Sequence, residues 1–161
     1  MYKVLLTDPI SQSGIDVFNQ YNIDVINKPN ITDDELSSIL PDIDGWVIRS
    51  GTNINSNHIE DCKKLKVIGR AGVGIDNIDI HSATNNGIVV MNLPDGNTIS
   101  AAEHTMALIS ALSRNIHLGH KSLIAGTWDR HKLVGNELRN KVLGVIGLGR
   151  IGREVIKRAQ G

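Results

Sequence analysis

Apolar residues come in two patterns along this chain: short runs rich in Val, Ile and Leu, and segments with apolar positions at helical spacing. The two patterns alternate. Runs at 3–8, 24–28, 45–50, 66–71 and 88–93 each read as a strand apolar enough to be buried on both faces. Between them, 11–21, 32–40, 56–64 and 79–85 read as helices, each opened by a residue able to cap: Ser11, Thr32, Asn55 or Ser56, and Asp76 or Asp79. Thr32 followed by Glu35 spells a capping box. Asn86-Gly87 has the composition of a hairpin turn, yet it sits between a helical run and a strand, so Gly87 reads as a helix-ending glycine. The alternation predicts the α/β class, with a doubly wound parallel sheet.

After Asn97 the pattern changes. Ser100 and Glu103 form a second capping box, and Ala102, Met106, Ile109, Leu112 and Ile116 then repeat as on a helix longer than the others. Gly119 and then Gly126-Thr127-Trp128 break it, leading into a polar stretch at 129–140 read as a loop or arm. A sixth strand is expected at 141–146. It is followed by Gly147-Leu148-Gly149-Arg150-Ile151-Gly152 and a helix at 153–160. A bare G-x-G-x-x-G is a weak signal, but one that follows a strand and opens a helix has the context that dinucleotide binding needs. Gly147 permits the tight turn, Gly149 lets backbone amides approach a pyrophosphate, and Gly152 lets helix and strand pack closely. The plain alternative is a tight strand-to-helix turn with no ligand. The acidic residue that would hold the ribose belongs about 20 positions further on, past Gly161. A lone strand here would also lack parallel neighbours, so the chain is expected to be cut short inside a second domain.

Composition narrows the partners. Seventeen Lys and Arg balance seventeen Asp and Glu in 161 residues, so no basic field draws in nucleic acid or an anionic membrane. Aromatics make up 3%, too few for base-stacking platforms. Cys62 is the only cysteine, which rules out an intramolecular disulfide, and it reads as a small buried hydrophobe rather than a nucleophile. The opening apolar run is far shorter than a signal peptide or membrane span, and a cytoplasmic setting is the expectation. His117 and His120 sit at i, i+3 spacing, half of a metal site with no third ligand nearby, so no metal is expected.

Ligands of open parallel sheets settle outside the carboxyl ends of the strands. There the third run ends in Arg49-Ser50-Gly51, the fourth in Arg70-Ala71-Gly72-Val73-Gly74, and the fifth leads through Asn92-Leu93-Pro94-Asp95-Gly96 to Asn97. Two guanidinium groups at that edge suit a carboxylate or phosphate, and hence a small acidic molecule. The competing reading makes Arg49 and Arg70 surface ion pairs with acids such as Asp76.

The segments Val47-Ile48-Arg49-Ser50, 67–77 (VIGRAGVGIDN), 91–97 (MNLPDGN), Ser100-Ala101-Ala102-Glu103 and the glycine motif, taken in order, resemble the D-isomer-specific 2-hydroxyacid dehydrogenases over nearly the whole chain. That resemblance implies a flavodoxin-like substrate domain at 1–97. It also implies a linking helix, a dimer arm and the start of a Rossmann domain at 98–161. NAD and a 2-hydroxy or 2-oxo acid would bind in the cleft between the two domains. By position, Arg49, Arg70 and Asn97 would line the substrate side. Gly72, Val73 and Gly74 would lie near the nicotinamide, with Gly147, Gly149, Arg150, Ile151 and Gly152 at the pyrophosphate. Arg130, in a segment resembling a dimer arm, would reach the active site of a partner in a homodimer or higher oligomer. The family's catalytic histidine, glutamate and arginine correspond to segments past Gly161, so the chain alone is expected to be inactive. Among family members the motifs are nearest those acting on 3-phosphoglycerate. Glycerate, glyoxylate and formate dehydrogenases remain as alternatives, as does a non-catalytic NAD- or anion-binding regulatory module. The choice between NAD and NADP is not readable.

Overall fold

The computed structural model describes residues 1–160 and divides into two compact units, Met1–Gly96 and the chain from Asn97 onward. The first unit alternates strand and helix: β1 (Lys3–Leu6), α1 (Gln12–Gln20), β2 (Asp24–Asn27), α2 (Asp33–Ile39), β3 (Gly45–Ile48), α3 (Ser56–Asp61), β4 (Val67–Arg70), α4 (Ile80–Asn85) and β5 (Val89–Asn92). The five strands form one sheet in the order β2-β1-β3-β4-β5, with every neighbouring pair parallel. This is the doubly wound architecture that the alternation predicts.

The core is aliphatic except for one indole. Val4, Leu5 and Leu6 of β1, Trp46 and Ile48 of β3, and Ile68 of β4 are buried in succession, as befits central strands covered on both faces. Leu36, Leu40, Ile43, Ile59 and Ala83 join them from the helices and connections. The expectation of burial on both faces fails for the edge strands. In β5, Val89 and Met91 are each 58% exposed, because an edge strand has a single sheet neighbour and less helix cover. Helix starts follow the capping chemistry. The side chains of Ser11, Thr32, Asn55 and Asp79 accept the amides of Gly14, Glu35, His58 and Ser82. Asn55 and His58 close a full capping box. At Thr32 the Glu35 carboxylate instead reaches toward Lys28, at 3.6 Å. Gly87 follows α4 at φ 69° and its amide donates to the Thr84 carbonyl, the helix-ending role expected of it.

The second unit departs further from expectation. In place of one long helix there are two, α5 (Thr98–Ser113) and α6 (Ile116–Ile124), split where Asn115 takes the left-handed conformation at φ 54°. Asparagine tolerates that conformation better than other non-glycine residues, so the apolar period continues while the helix does not. The expected Ser100 capping box is also absent: Ser100 lies inside α5, which starts after Asn97, and its hydroxyl donates to the Asn97 carbonyl. The polar stretch contains a short 3₁₀ turn at Arg130–Lys132. Residues 141–146 form no strand, and Val142 and Ile146 are fully open to solvent. A strand exists only through inter-strand pairing, and among the described residues none pairs with this run. The final helix, α7 (Arg150–Ala159), begins inside the glycine motif, three residues earlier than expected. It packs on α5 through buried Val155 and Ala102, with Arg158 bridging its own Glu154 at 2.7 Å and Glu103 of α5 at 3.4 Å.

Candidate functional site

The carboxyl ends of β1, β3 and β4 are joined by a small set of polar side chains. Asp8, the second residue after β1, is 7% exposed. Its Oδ2 accepts the backbone amides of Arg49 at 2.7 Å and Thr52 at 3.1 Å. From the other direction, the Asn77 amide group donates to the carbonyls of Arg49 at 2.7 Å and Thr52 at 2.6 Å. The loop 49–52 is therefore gripped by one side chain at its donors and by another at its acceptors. Buried Thr7 adds a third tie: its hydroxyl accepts Trp46 Nε1 at 3.0 Å and the Thr52 hydroxyl at 2.9 Å. A buried carboxylate holding two amides is a charge-assisted arrangement, stronger than neutral hydrogen bonds.

This frame fixes Arg49, which stands one residue past the Ile48–Arg70 pair in the β3–β4 register. The two arginines thus occupy neighbouring strand ends, as the sequence pattern requires. Neither forms an ion pair with Asp76 or any other carboxylate among the described residues, so the ion-pair reading fails. One guanidinium nitrogen of Arg49 donates to the Pro9 carbonyl at 3.4 Å. Arg70 Nε is buried with no hydrogen-bond partner, as is Asn77 Oδ1. A buried guanidinium N–H without an acceptor is costly and marks a place where an anion would restore the missing bond. Gly72 has its own part here: a Cβ at that position would collide with the Arg70 guanidinium, so the missing side chain is what lets Arg70 lie against its own loop. Gly74 leaves similar room for the Asp76 carboxylate. Val73, between them, accepts the Asn92 side-chain amide at 2.7 Å through its carbonyl, tying the end of β5 to the same loop.

The other expected site residues belong to the second unit. Asn97 precedes α5, and its carbonyl accepts the Ala101 amide. Arg130 is exposed in the 3₁₀ turn, with its Nε 3.4 Å from His131 Nε2, and lines a cavity of about 260 Å³ with Trp128, Asp129 and Leu133. In the glycine motif, Gly147 has φ 95°, a conformation that L side chains rarely adopt. A Cβ on Gly152 would collide with the Gly147 carbonyl, and nothing approaches the Cβ position of Gly149. Gly149 stands at the N-cap of the ten-residue helix α7 and makes no side-chain cap hydrogen bond. These features fit a dinucleotide pyrophosphate: a turn that only glycine makes, a backbone clear for close approach, and a helix N-terminus of favourable polarity.

Sequence reasoning missed Asp8, Thr7, Thr52, Asn77 and Asn92. Applying the strand-end rule to the first strand as well as to the third and fourth would have singled out Thr7-Asp8. Cys62 is half-buried against the core, and burial pushes its thiol up from an ordinary 9.0 to about 11, which suits packing rather than nucleophilic chemistry. No helix of the described residues is long and apolar enough to cross a membrane.

The first unit is a five-stranded parallel sheet with two arginines at adjacent strand ends, and the second carries a glycine motif that opens a helix. Residues 4–159 match the family model described as D-isomer specific 2-hydroxyacid dehydrogenase, catalytic domain, and the chain belongs to that family. It is 49% identical over 160 residues to a D-3-phosphoglycerate dehydrogenase of Methanocaldococcus jannaschii, covering 99% of this chain and 30% of that relative. A D-3-phosphoglycerate dehydrogenase of Sus scrofa is 45% identical over 158 residues, covering 98% of this chain and again 30% of the relative. The chain thus spans about a third of the length of these curated relatives. Among solved structures, a Thermus thermophilus protein superposes with a TM-score of 0.90 at 29% identity, covering 98% of this chain and 52% of its own. An NAD-dependent formate dehydrogenase from Staphylococcus aureus, solved in complex with NAD, gives a TM-score of 0.85 at 28% identity, covering 98% and 53%.

Proposed function

We propose that the chain is the substrate-side domain (1–97), with the linking helix, dimer arm and first part of the NAD-binding domain (98–161), of an oxidoreductase acting on the CH–OH group of D-3-phosphoglycerate. The observation that carries this reading is the Arg49–Arg70 pair at adjacent strand ends, neither engaged by a carboxylate and one with a buried Nε lacking an acceptor. The phosphate and carboxylate of the substrate supply the missing acceptors, and guanidinium forks match both groups. Asn97 and, from a second copy, Arg130 complete the substrate side. In the reaction the alcohol carbon loses a hydride and its hydroxyl a proton, leaving a 2-oxo acid. NAD, when bound, supplies the hydride acceptor. Gly147, Gly149, Arg150, Ile151 and Gly152 would hold its pyrophosphate, with the Gly72–Gly74 backbone beside the nicotinamide. The names of the relatives at 49% and 45% identity support the choice of substrate. A cytoplasmic setting and assembly as a homodimer belong to the same reading.

Calorimetric titration of the 161-residue chain with D-3-phosphoglycerate and with D-glycerate tests it. Tighter binding of the phosphorylated acid is expected, weakened roughly tenfold or more by Arg49→Ala and by Arg70→Ala. Equal affinity for the two acids would overturn the phosphate preference, and unchanged affinity in both variants would overturn the site. The chain alone is expected not to reduce NAD with D-3-phosphoglycerate; turnover at the rate of complete family members would overturn that part.

A further inference from the structure

Asn86-Gly87 is the only Asn-Gly pair in the sequence, and the proposed reaction makes no use of it. Both residues are exposed at the carboxyl end of α4. The carboxamide carbon of an asparagine is an electrophile within reach of the next residue's backbone nitrogen, and their bonding closes a five-membered ring. A Cβ on that next residue crowds the closure, and glycine has none. Every other asparagine of the chain is followed by a residue that carries a Cβ. At Gly87 no atom lies within 4 Å of the place where a Cβ would stand, so the approach is clear on that side.

The fold holds this pair back. Asn86 ends α4 at φ −93° and ψ 7°, which turns the Gly87 nitrogen away from the Asn86 side chain. The Asn86 Nδ2 donates to the Ser82 carbonyl at 2.9 Å. The Gly87 amide donates to the Thr84 carbonyl at 3.0 Å and the Ile88 amide to the Ala83 carbonyl at 2.9 Å. With Gly87 at φ 69°, these two bonds make a Schellman closure. The attacking nitrogen and the leaving nitrogen are thus both tied to the last turn of α4. That helix has six residues and ends in solvent, and exposed helix ends open at small cost.

We propose that Asn86 is a self-modification site, converted through a succinimide to aspartate and isoaspartate, and that opening of the last turn of α4 gates the conversion. In the open turn, hydroxide removes the Gly87 N–H proton and the nitrogen bonds to Asn86 Cγ. The Cγ–Nδ2 bond then breaks, and Nδ2 takes a proton from water and leaves as ammonia. Water adds to one of the two ring carbonyls. Breaking the Cγ–N bond gives aspartate, and breaking the bond from the main-chain carbonyl carbon to nitrogen gives isoaspartate. One water is consumed and one ammonia released, with nothing oxidised or reduced. Either product sets a carboxylate at the carboxyl end of a helix, where the helix polarity is already negative, and removes the bond to Ser82. Isoaspartate also adds a carbon to the main chain ahead of buried Ile88 and β5, so the Schellman bonds lose their spacing. This site does not rest on the dehydrogenase reading.

Incubation of the full 161-residue chain in mildly alkaline buffer, folded and in parallel unfolded in guanidinium chloride, tests the proposal. Mass spectrometry of tryptic peptides, with electron-transfer fragmentation, separates aspartate from isoaspartate at each position. In the folded chain Asn86 is expected to convert before any other asparagine and to give both products. The folded rate should be about tenfold or more below the unfolded one, as a gate of closed turns requires. Asn86→Gln, which keeps a carboxamide but lengthens its arm, should remove the early isoaspartate. Asn86→Asp, which supplies one product directly, should lower the melting temperature. Another asparagine converting first in the folded chain, no conversion of Asn86 there, or early isoaspartate persisting in Asn86→Gln would each overturn the site. Equal rates in folded and unfolded chains would overturn the gate, and an unchanged melting temperature in Asn86→Asp would overturn the structural consequence.

Discussion

The two units of this chain have similar proportions of apolar residues yet bury them very differently. In Met1–Gly96 the aliphatic runs of β1, β3 and β4 disappear into a continuous core, and every buried apolar residue of the described chain except Ala102 and Val155 belongs to this unit. In the second unit Leu112, Ile116, Leu118, Leu123, Ile124, Trp128 and Val142 are all largely exposed. Hydrophobic patterning is thus necessary but not sufficient. An apolar stretch becomes a core only when its own chain supplies the opposing surface, as the five strands and four helices do for one another. The second unit has helices that meet along one seam and a valine-rich run with no sheet to enter.

Amide hydrogen exchange is the sharpest way to test that contrast. Amides of β1, β3 and β4 should exchange only through opening of the whole first unit, at a cost of the order of 5–15 kcal/mol, whereas those of 141–146 should exchange close to the free-chain rate. Equal protection of the two regions would break the comparison. Mutation gives the next largest effect. Trp46→Ala removes a fully buried indole and its bond to Thr7, and should cost about 3–5 kcal/mol in urea unfolding followed by circular dichroism. Leu112→Ala, at a position 64% exposed, should stay within about 0.5 kcal/mol. Asn77→Ala removes two hydrogen bonds from the 49–52 loop and should cost about 1–3 kcal/mol, with weaker anion binding at Arg49 as the local readout.

The smallest effects are those of pH. In the first unit, Lys66 beside Asp44, together with the Lys3 amide, holds the Asp44 carboxyl below its ordinary 3.8, and the Ser82 amide and hydroxyl do the same for Asp79. In the second unit Lys157 and Arg158 lower Glu154 from 4.5. Each lowered carboxyl contributes stability that is fully present above its unfolded value and lost as pH falls through the lower folded one. Both units should therefore weaken in acid below about pH 4, seen as a falling melting temperature. Cys62 acts at the opposite end. Its raised thiol favours the folded state up to pH 9.0, and that contribution is lost as pH rises toward about 11, so Cys62→Ala should flatten the alkaline decline of the first unit only.

Much of the first unit was legible because its strands are short apolar runs flanked by capping residues, both local signals. The run at 141–146 carries the same signal and forms no strand, since pairing is not a property of the run itself. The split between α5 and α6 turned on one backbone angle at Asn115, which the uninterrupted apolar period concealed. At the site, Arg49 and Arg70 were legible because their side chains follow strands directly. Asp8 and Asn77 were not, because their meaning lies in bonds to residues far along the chain.

Those bonds have a consequence for how the molecule assembles. Asp8 reaches 41 and 44 residues ahead to Arg49 and Thr52, and Asn77 reaches 28 and 25 residues back to the same pair. Such non-local closures form late, after the chain has met the entropy of bringing distant segments together. Arg49 thus gains its fixed backbone only once β1, β3 and the loop after β4 have come together. During refolding, affinity for an acidic ligand should appear in the slowest phase, so that the anion reports completed folding.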